Sequence, residues 1–161
     1  MSGRAPSAGS LPKGRWSFRV EAHSAAPPPD LWPLIGEAGR WKEWSFLDRS
    51  DLVRTGEPDP DGVGAIRRFT RFGIGSREEV VMWEPPHHLG YVIVKGFPVR
   101  HYRADVVLEP AGTGTLLTWS ATFDALIPGT GHAMVILLRS FISRFATGVA
   151  RYAEQTAGSG T

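Results

Sequence analysis

Apolar and polar positions alternate most cleanly near the start of the chain. Trp16, Phe18, Val20 and Ala22 interleave with Ser17, Arg19, Glu21 and His23, the period-two signature of a strand with one buried face. Pro27-Pro28-Pro29-Asp30 ends that strand. Asp30 is placed to cap a short helix whose apolar face comes from Leu31, Trp32, Leu34 and Ile35, with Pro33 tolerated inside the first turn. Gly36 and Gly39 interrupt this helix, and residues 40–44 form a second short turn carrying Trp41 and Trp44. Residues 52–123 then read as consecutive strands, the clearest being 65–72, 77–83, 89–95, 100–108 and 115–123. Their connections are Gly73-Ile74-Gly75, Pro85-Pro86, Gly96-Phe97-Pro98 and Pro110-Ala111-Gly112-Thr113-Gly114. Connections this short join antiparallel neighbours. Beyond Pro128-Gly129 the period lengthens: Met134, Leu138, Phe141, Phe145, Val149 and Tyr152 recur every three to four residues, with Ile142 and Ala153 beside them. Arg139, Ser143, Arg144 and Arg151 fall largely on other faces. This predicts an amphipathic helix over 131–155, ~37 Å long and able to cross a whole sheet.

One strand, two short helices, a run of about six strands and a long closing helix define an α+β fold. A curved antiparallel sheet of six to seven strands wraps one face of the long helix, and the gap between them is a natural apolar pocket. With 161 residues the chain has the length of one domain, expected over 15–155. Residues 1–14, rich in Gly, Ser, Ala and Pro, read as a flexible arm, and 156–161 as a frayed tail. There is no cysteine, which removes disulfides, thiolate metal sites and a cysteine nucleophile, and fits a cytoplasmic location. A net charge of +2 is too small and too scattered to argue for nucleic-acid binding. No signal peptide is readable in the first fifteen residues, and the apolar run at 133–138 is far shorter than the ~20 residues of a membrane helix, so no membrane insertion is expected.

The order of elements resembles the helix-grip fold of the START-like, or SRPBCC, superfamily, especially its polyketide cyclase/dehydrase-type branch. The likeness is carried by Phe18-Arg19-Val20-Glu21-Ala22 before Pro29-Asp30-Leu31-Trp32, then by Trp41-Lys42-Glu43-Trp44 and Gly62-Val63-Gly64-Ala65-Ile66-Arg67-Arg68. It continues through Trp83-Glu84-Pro85-Pro86 and Leu116-Leu117-Thr118-Trp119 to the terminal helix. The resemblance implies a cavity between sheet and helix. It does not imply a reaction, because that superfamily holds lipid carriers, hormone receptors, allergen-like binders and aromatic polyketide cyclases without a common catalytic motif.

Strand alternation nominates the cavity lining. Leu117, Trp119, Ala121 and Phe123 share a face; so do Tyr102, Ala104, Val106 and Leu108, and so do Tyr91 and Ile93, with Met134, Leu138, Phe141 and Phe145 covering them from the helix. An ordinary packed core accounts for most such positions. Tyr91, Tyr102 and Trp119 stand out because a buried hydroxyl or indole N–H wants a partner that a ligand can supply. Arg67, Arg68 and Arg71 with Phe69 and Phe72 form the densest basic and aromatic cluster, open to three readings. Arginines facing solvent are one, an arginine turned inward to a ligand carboxylate or enolate is another, and a nucleic-acid stacking platform is the third. Alternation puts Arg67, Phe69 and Arg71 on one face, and the resemblance turns Arg67 and Phe69 toward the cavity.

Conventional catalytic spacings are missing. His23, His87, His88, His101 and His132 include no helical metal pair, so no metal is expected; His87-His88 reads as a solvated turn, and His101, beside Tyr102 and near Asp105, is the one candidate general base. No Gly-x-Ser-x-Gly elbow occurs, and no internal Gly-x-Gly pair gains the third glycine of a dinucleotide site, so no cofactor is expected. The expected function is binding of an apolar or aromatic small molecule, lipid- or polyketide-like, with Arg67, Phe69, Arg71, Tyr91, Ile93, Tyr102, Trp119, Met134, Leu138 and Phe141 as its contacts. The alternative is a polyketide cyclase, aromatase or dehydratase in which Arg67, Arg71, Tyr91 or His101 polarises a carbonyl or moves a proton. A third class is an interaction protein that uses the 67–72 strand as its surface. The 57–63 turn lies beside the expected mouth, where a lid would sit.

Overall fold

A computed structural model describes residues 14–159. Residues 1–13 of the expected arm and 160–161 of the expected tail lie outside the described residues. The chain runs β1 (Trp16–Ser24), α1 (Pro28–Gly36), a 3₁₀ turn (Ala38–Arg40), α2 (Trp41–Trp44), β2 (Arg49–Arg54), β3 (Ile66–Arg71), β4 (Ile74–Glu84), β5 (His88–Lys95), β6 (Val99–Ala111), β7 (Gly114–Ala125) and α3 (Gly131–Gly158). Seven strands form one antiparallel sheet in the order β1-β7-β6-β5-β4-β3-β2. This is the helix-grip architecture: α1 and α2 carry the chain from β1 at one edge to β2 at the other, and α3 returns across the concave face.

Curvature has a visible cause. The ladder shifts register between Leu52 and Arg54, at two places in β4, and between Arg100 and Arg103. Each irregularity adds local twist and bends its strand. The sheet thereby curls toward α3, which packs most closely on β1. There the Ser24 hydroxyl donates to the Ala150 carbonyl at 2.8 Å and the Ala25 amide to the Glu154 carboxylate at 2.8 Å.

Several boundaries differ from the sequence expectation. Helix α1 begins at Pro28, so Asp30 sits in its first turn and caps nothing, while Pro33 is interior. The β3–β4 connection is Phe72-Gly73 alone, and the β6–β7 connection Gly112-Thr113. Helix α3 reaches Gly158. Its buried stripe is Met134, Leu138, Ile142, Ala146, Val149 and Ala153, with Phe141, Phe145 and Tyr152 flanking it half-buried. The small Ala146 and Ala150 let the backbone approach the sheet, which turns the aromatic flank sideways toward the open part of the grip. One 18-residue window of α3 has a mean hydropathy of 1.5, enough by length and composition to cross a bilayer, but this is the core helix, so membrane insertion is not indicated.

Candidate functional site

Between the aromatic flank of α3 and strands β3 to β6 lies a cavity of about 330 Å³. Leu138, Phe141, Ile142 and Phe145 form its helical wall, and Phe69, Tyr91, Ile93 and Tyr102 its floor on the sheet. Trp41 closes the inner end, and Phe46 with Leu47, just after α2, closes one side. These rings support one another: Trp41 stacks on Phe69 at 4.4 Å between centroids, and Phe46 on Phe145 at 5.0 Å. The cavity opens where β3 turns into β4, past Arg71, Phe72 and Ile74.

The lining is overwhelmingly apolar, with one polar corner. Ser76 and Glu78 of β4 face inward by alternation and line the cavity with Tyr91 and Tyr102. Glu78 is buried, and its Oε2 accepts from Arg67 Nη2 at 2.9 Å, while the Ser76 hydroxyl lies 3.3 Å from Oε1. Arg67 is fully buried behind this corner, with its guanidinium 5.0–5.3 Å from the rings of Trp41, Phe69 and Tyr91. Its Nη1 donates to the Ile35 carbonyl, and its Nε has no partner among the described residues. Burial pushes the Glu78 carboxyl above its ordinary value, and the charge and hydrogen bond of Arg67 oppose this without cancelling it. Burial likewise holds the Tyr91 and Tyr102 phenols above theirs, with the Glu78 charge adding to both. Tyr91 accepts from Trp119 Nε1 at 3.1 Å. The corner therefore offers neutral phenols and one carboxyl in a nearly dry setting.

Of the residues nominated from the sequence, Phe69, Arg71, Tyr91, Ile93, Tyr102, Leu138 and Phe141 come together on the cavity. Arg67, Trp119 and Met134 do not line it. Arg67 and Trp119 stand behind the first layer as partners of Glu78 and Tyr91, and Met134 lies nearer the start of α3, in the core. Arg71 is exposed at the mouth, where Nη1 donates to the Phe46 carbonyl. His101 is outside the site: a left-handed φ of 52° within the β6 irregularity leaves it on the surface, 3.0 Å from Asp124. Asp105 pairs with His88 and Arg103 instead, so His88 is held rather than solvated. The 57–63 turn lies at the opposite end of the sheet from the mouth, where Asp59 accepts from Trp83 Nε1 and Asp61 from the Ala38 amide, so it is no lid for this opening.

Sequence reading missed Trp41, Phe46, Leu47, Phe97 and the Ser76–Glu78 pair as lining. The available signal for Glu78 was its alternation with Ser76 and Val80. For Phe46 there was none, because it belongs to an irregular segment.

A curved sheet here grips a terminal helix over an aromatic-walled cavity that is open at one end. The chain belongs to the family described as polyketide cyclase / dehydrase and lipid transport, whose profile matches residues 15–154. No curated protein matches it by sequence. Solved structures with the same fold include a Thermobifida fusca protein determined by solution NMR, at 24% identity and a TM-score of 0.69 over 88% of this chain and 93% of that one. The Bacillus cereus protein XoxI is 19% identical, with a TM-score of 0.68 over 88% and 94%. A point mutant of norcoclaurine synthase from Thalictrum flavum, in complex with a transition-state analogue, is 14% identical, with a TM-score of 0.67 over 92% and 99%.

Proposed function

We propose that the chain binds one compact apolar or aromatic molecule in this cavity, with its single polar group at the Glu78–Tyr102 corner. The observation that carries the reading is the cavity itself, walled by aromatic rings and open at one end. At about 330 Å³ it lies near the small end of the ~300–1,000 Å³ range of ligand pockets, which favours a compact ring system over a long acyl chain. Membership of a family whose description names both cyclases and lipid transport is consistent with either carriage or conversion of such a molecule. The test is a thermal-shift and tryptophan-fluorescence titration with mono- and bicyclic phenols, fatty acids and sterols. Trp41 on the cavity wall supplies the optical signal. A rise in Tm with a fluorescence change for the small aromatics is expected, and flat responses throughout would overturn the reading.

One observation favours the enzymatic alternative: a buried carboxyl with a raised pKa lines the cavity beside two neutral phenols. In that reading Glu78 moves a proton during cyclisation or dehydration of a poly-ketone chain while Tyr102 donates to a carbonyl oxygen. Incubation with a short poly-ketone mimic separates the two readings. Turnover that Glu78→Gln abolishes while binding persists supports the enzyme; binding without turnover supports the carrier.

A further inference from the structure

Large apolar side chains left exposed are not spread over the surface. Among the described residues, Phe72 and Ile74 are the most exposed of them, at 80% and 81%, and they form the tip of the β3–β4 hairpin. Val94 at the end of β5 and Leu126 and Ile127 after β7 lie at the same end of the sheet, because these strand ends neighbour one another in the ladder. Ile136 and Leu137 extend the group onto the first turns of α3, which starts there. Among the described residues only Val53 and Val63 fall elsewhere. This end is also the mouth of the cavity.

Two further features bear on what covers it. Phe72 adopts φ 52° in a two-residue turn shared with Gly73 at φ 77°, a conformation that suits Asn-Gly and disfavours Phe. The Arg71 guanidinium lies 4.7 Å from the Phe72 ring centroid, yet most of the ring stays in solvent at a backbone penalty, which points to a contact outside the chain. The charge around the mouth is also predominantly positive. Arg71, Lys95, Arg100, Arg139 and Arg144 are exposed and make no ion pair among the described residues. Two carboxylates lie near them, Asp48 accepting from the Phe72 amide at 2.6 Å and Asp124 accepting from the Arg15 amide beside His101; both keep their charge, so the balance at this end is positive but not purely so.

We propose that this mouth end docks on an anionic lipid bilayer, with Phe72 and Ile74 entering the headgroup boundary and the arginine and lysine collar resting on the phosphates. Apolar groups spread over a hairpin tip, a strand end, a loop and a helix turn suit a soft interface better than a flat protein face, and a basic collar favours anionic lipid. A second copy of the chain would set like charges against each other. Docking would place the cavity mouth against the bilayer, whatever the cavity holds.

The test is co-sedimentation of the full chain with phosphatidylglycerol-containing vesicles and with pure phosphatidylcholine vesicles, at low and high salt. Salt-sensitive binding to the anionic vesicles is expected. Phe72→Asn/Ile74→Thr should weaken it about tenfold or more without lowering Tm, since Asn fits the left-handed turn and Thr the strand. Lys95→Gln/Arg139→Gln should weaken binding to the anionic vesicles. No binding by the wild type, equal binding to both vesicles, or unchanged binding by Phe72→Asn/Ile74→Thr would overturn the proposal. So would sedimentation equilibrium showing a wild-type dimer that this variant dissociates.

Discussion

Glu78 and Arg67 are each removed from water, and neither is tolerable without the other. Breaking such a pair leaves an uncompensated buried charge, whereas replacing both groups by apolar ones of similar size removes the problem together with the interaction. Arg67→Met alone is expected to destabilise by about 3–5 kcal/mol in urea denaturation. The double variant Arg67→Met/Glu78→Leu should lose markedly less than the sum of the single changes, and additive losses would mean that the two do not act as a pair. The pH dependence has a definite sign. A carboxyl whose folded pKa stands above its unfolded value, near 4.5, holds its proton more tightly when folded. Its contribution is therefore fully present below the unfolded pKa and is lost as pH rises through the folded one. Wild type should gain stability relative to Glu78→Gln as the solution is acidified. The opposite trend would mean that Arg67 outweighs burial. Asp51, held low by hydrogen bonds from Arg68 and then Arg49, works the other way and loses its contribution as pH falls.

At the scale of elements, the alternation of β1, β6 and β7 was enough to place every strand face named from it, because those strands each bury one side. Leu117, Trp119, Ala121, Phe123, Tyr102, Ala104, Val106 and Leu108 are all buried as alternation requires. What alternation cannot supply is register between strands. A connection of Gly73-Ile74-Gly75 would set Phe72 opposite Ser76, whereas the two-residue turn at Phe72-Gly73 sets Arg71 opposite Ile74 and hence Arg67 opposite Glu78. The buried ion pair was hidden by that difference in turn length, since an Asn-Gly turn would have announced itself and Phe-Gly does not. Helix α3 was legible in extent but not in rotation, because Ala146 and Ala150 weigh little in a hydrophobic pattern yet decide which side approaches the sheet. Its start is set by Gly131, where any Cβ would overlap the Trp16 indole, itself edge-on to His132 at 4.6 Å. Gly131→Ala should therefore lower stability by about 1–3 kcal/mol through forced movement of Trp16, even though alanine is the better helix former. A Tm equal to or above that of wild type would show that the helix start is free to shift.

Considered as a whole, the grip is filled at one end and hollow at the other. Trp32 and Trp83 meet edge-to-face at 5.0 Å, and the Trp41 and Trp44 indoles donate to the Ile35 and Leu34 carbonyls, so α1 and α2 plug the far end with large rings. Toward the mouth the sheet continues past the plug, and Phe46, Phe97, Phe141 and Phe145 line the space without filling it. The cavity is thus space that the fold leaves open, and it can be filled or enlarged without disturbing the plug. Ile93 lines it from β5, only half-buried. Ile93→Phe should project into the empty volume, leave Tm near that of wild type and remove the ligand-induced Tm shift. Phe141→Ala should act in the reverse sense, costing about 2 kcal/mol, less than the 3–5 of a fully buried phenylalanine, while admitting bulkier ring systems. If Ile93→Phe binds small aromatics as wild type does, the ligand sits somewhere other than this cavity, and the carrier and enzyme readings fail together because both require it there.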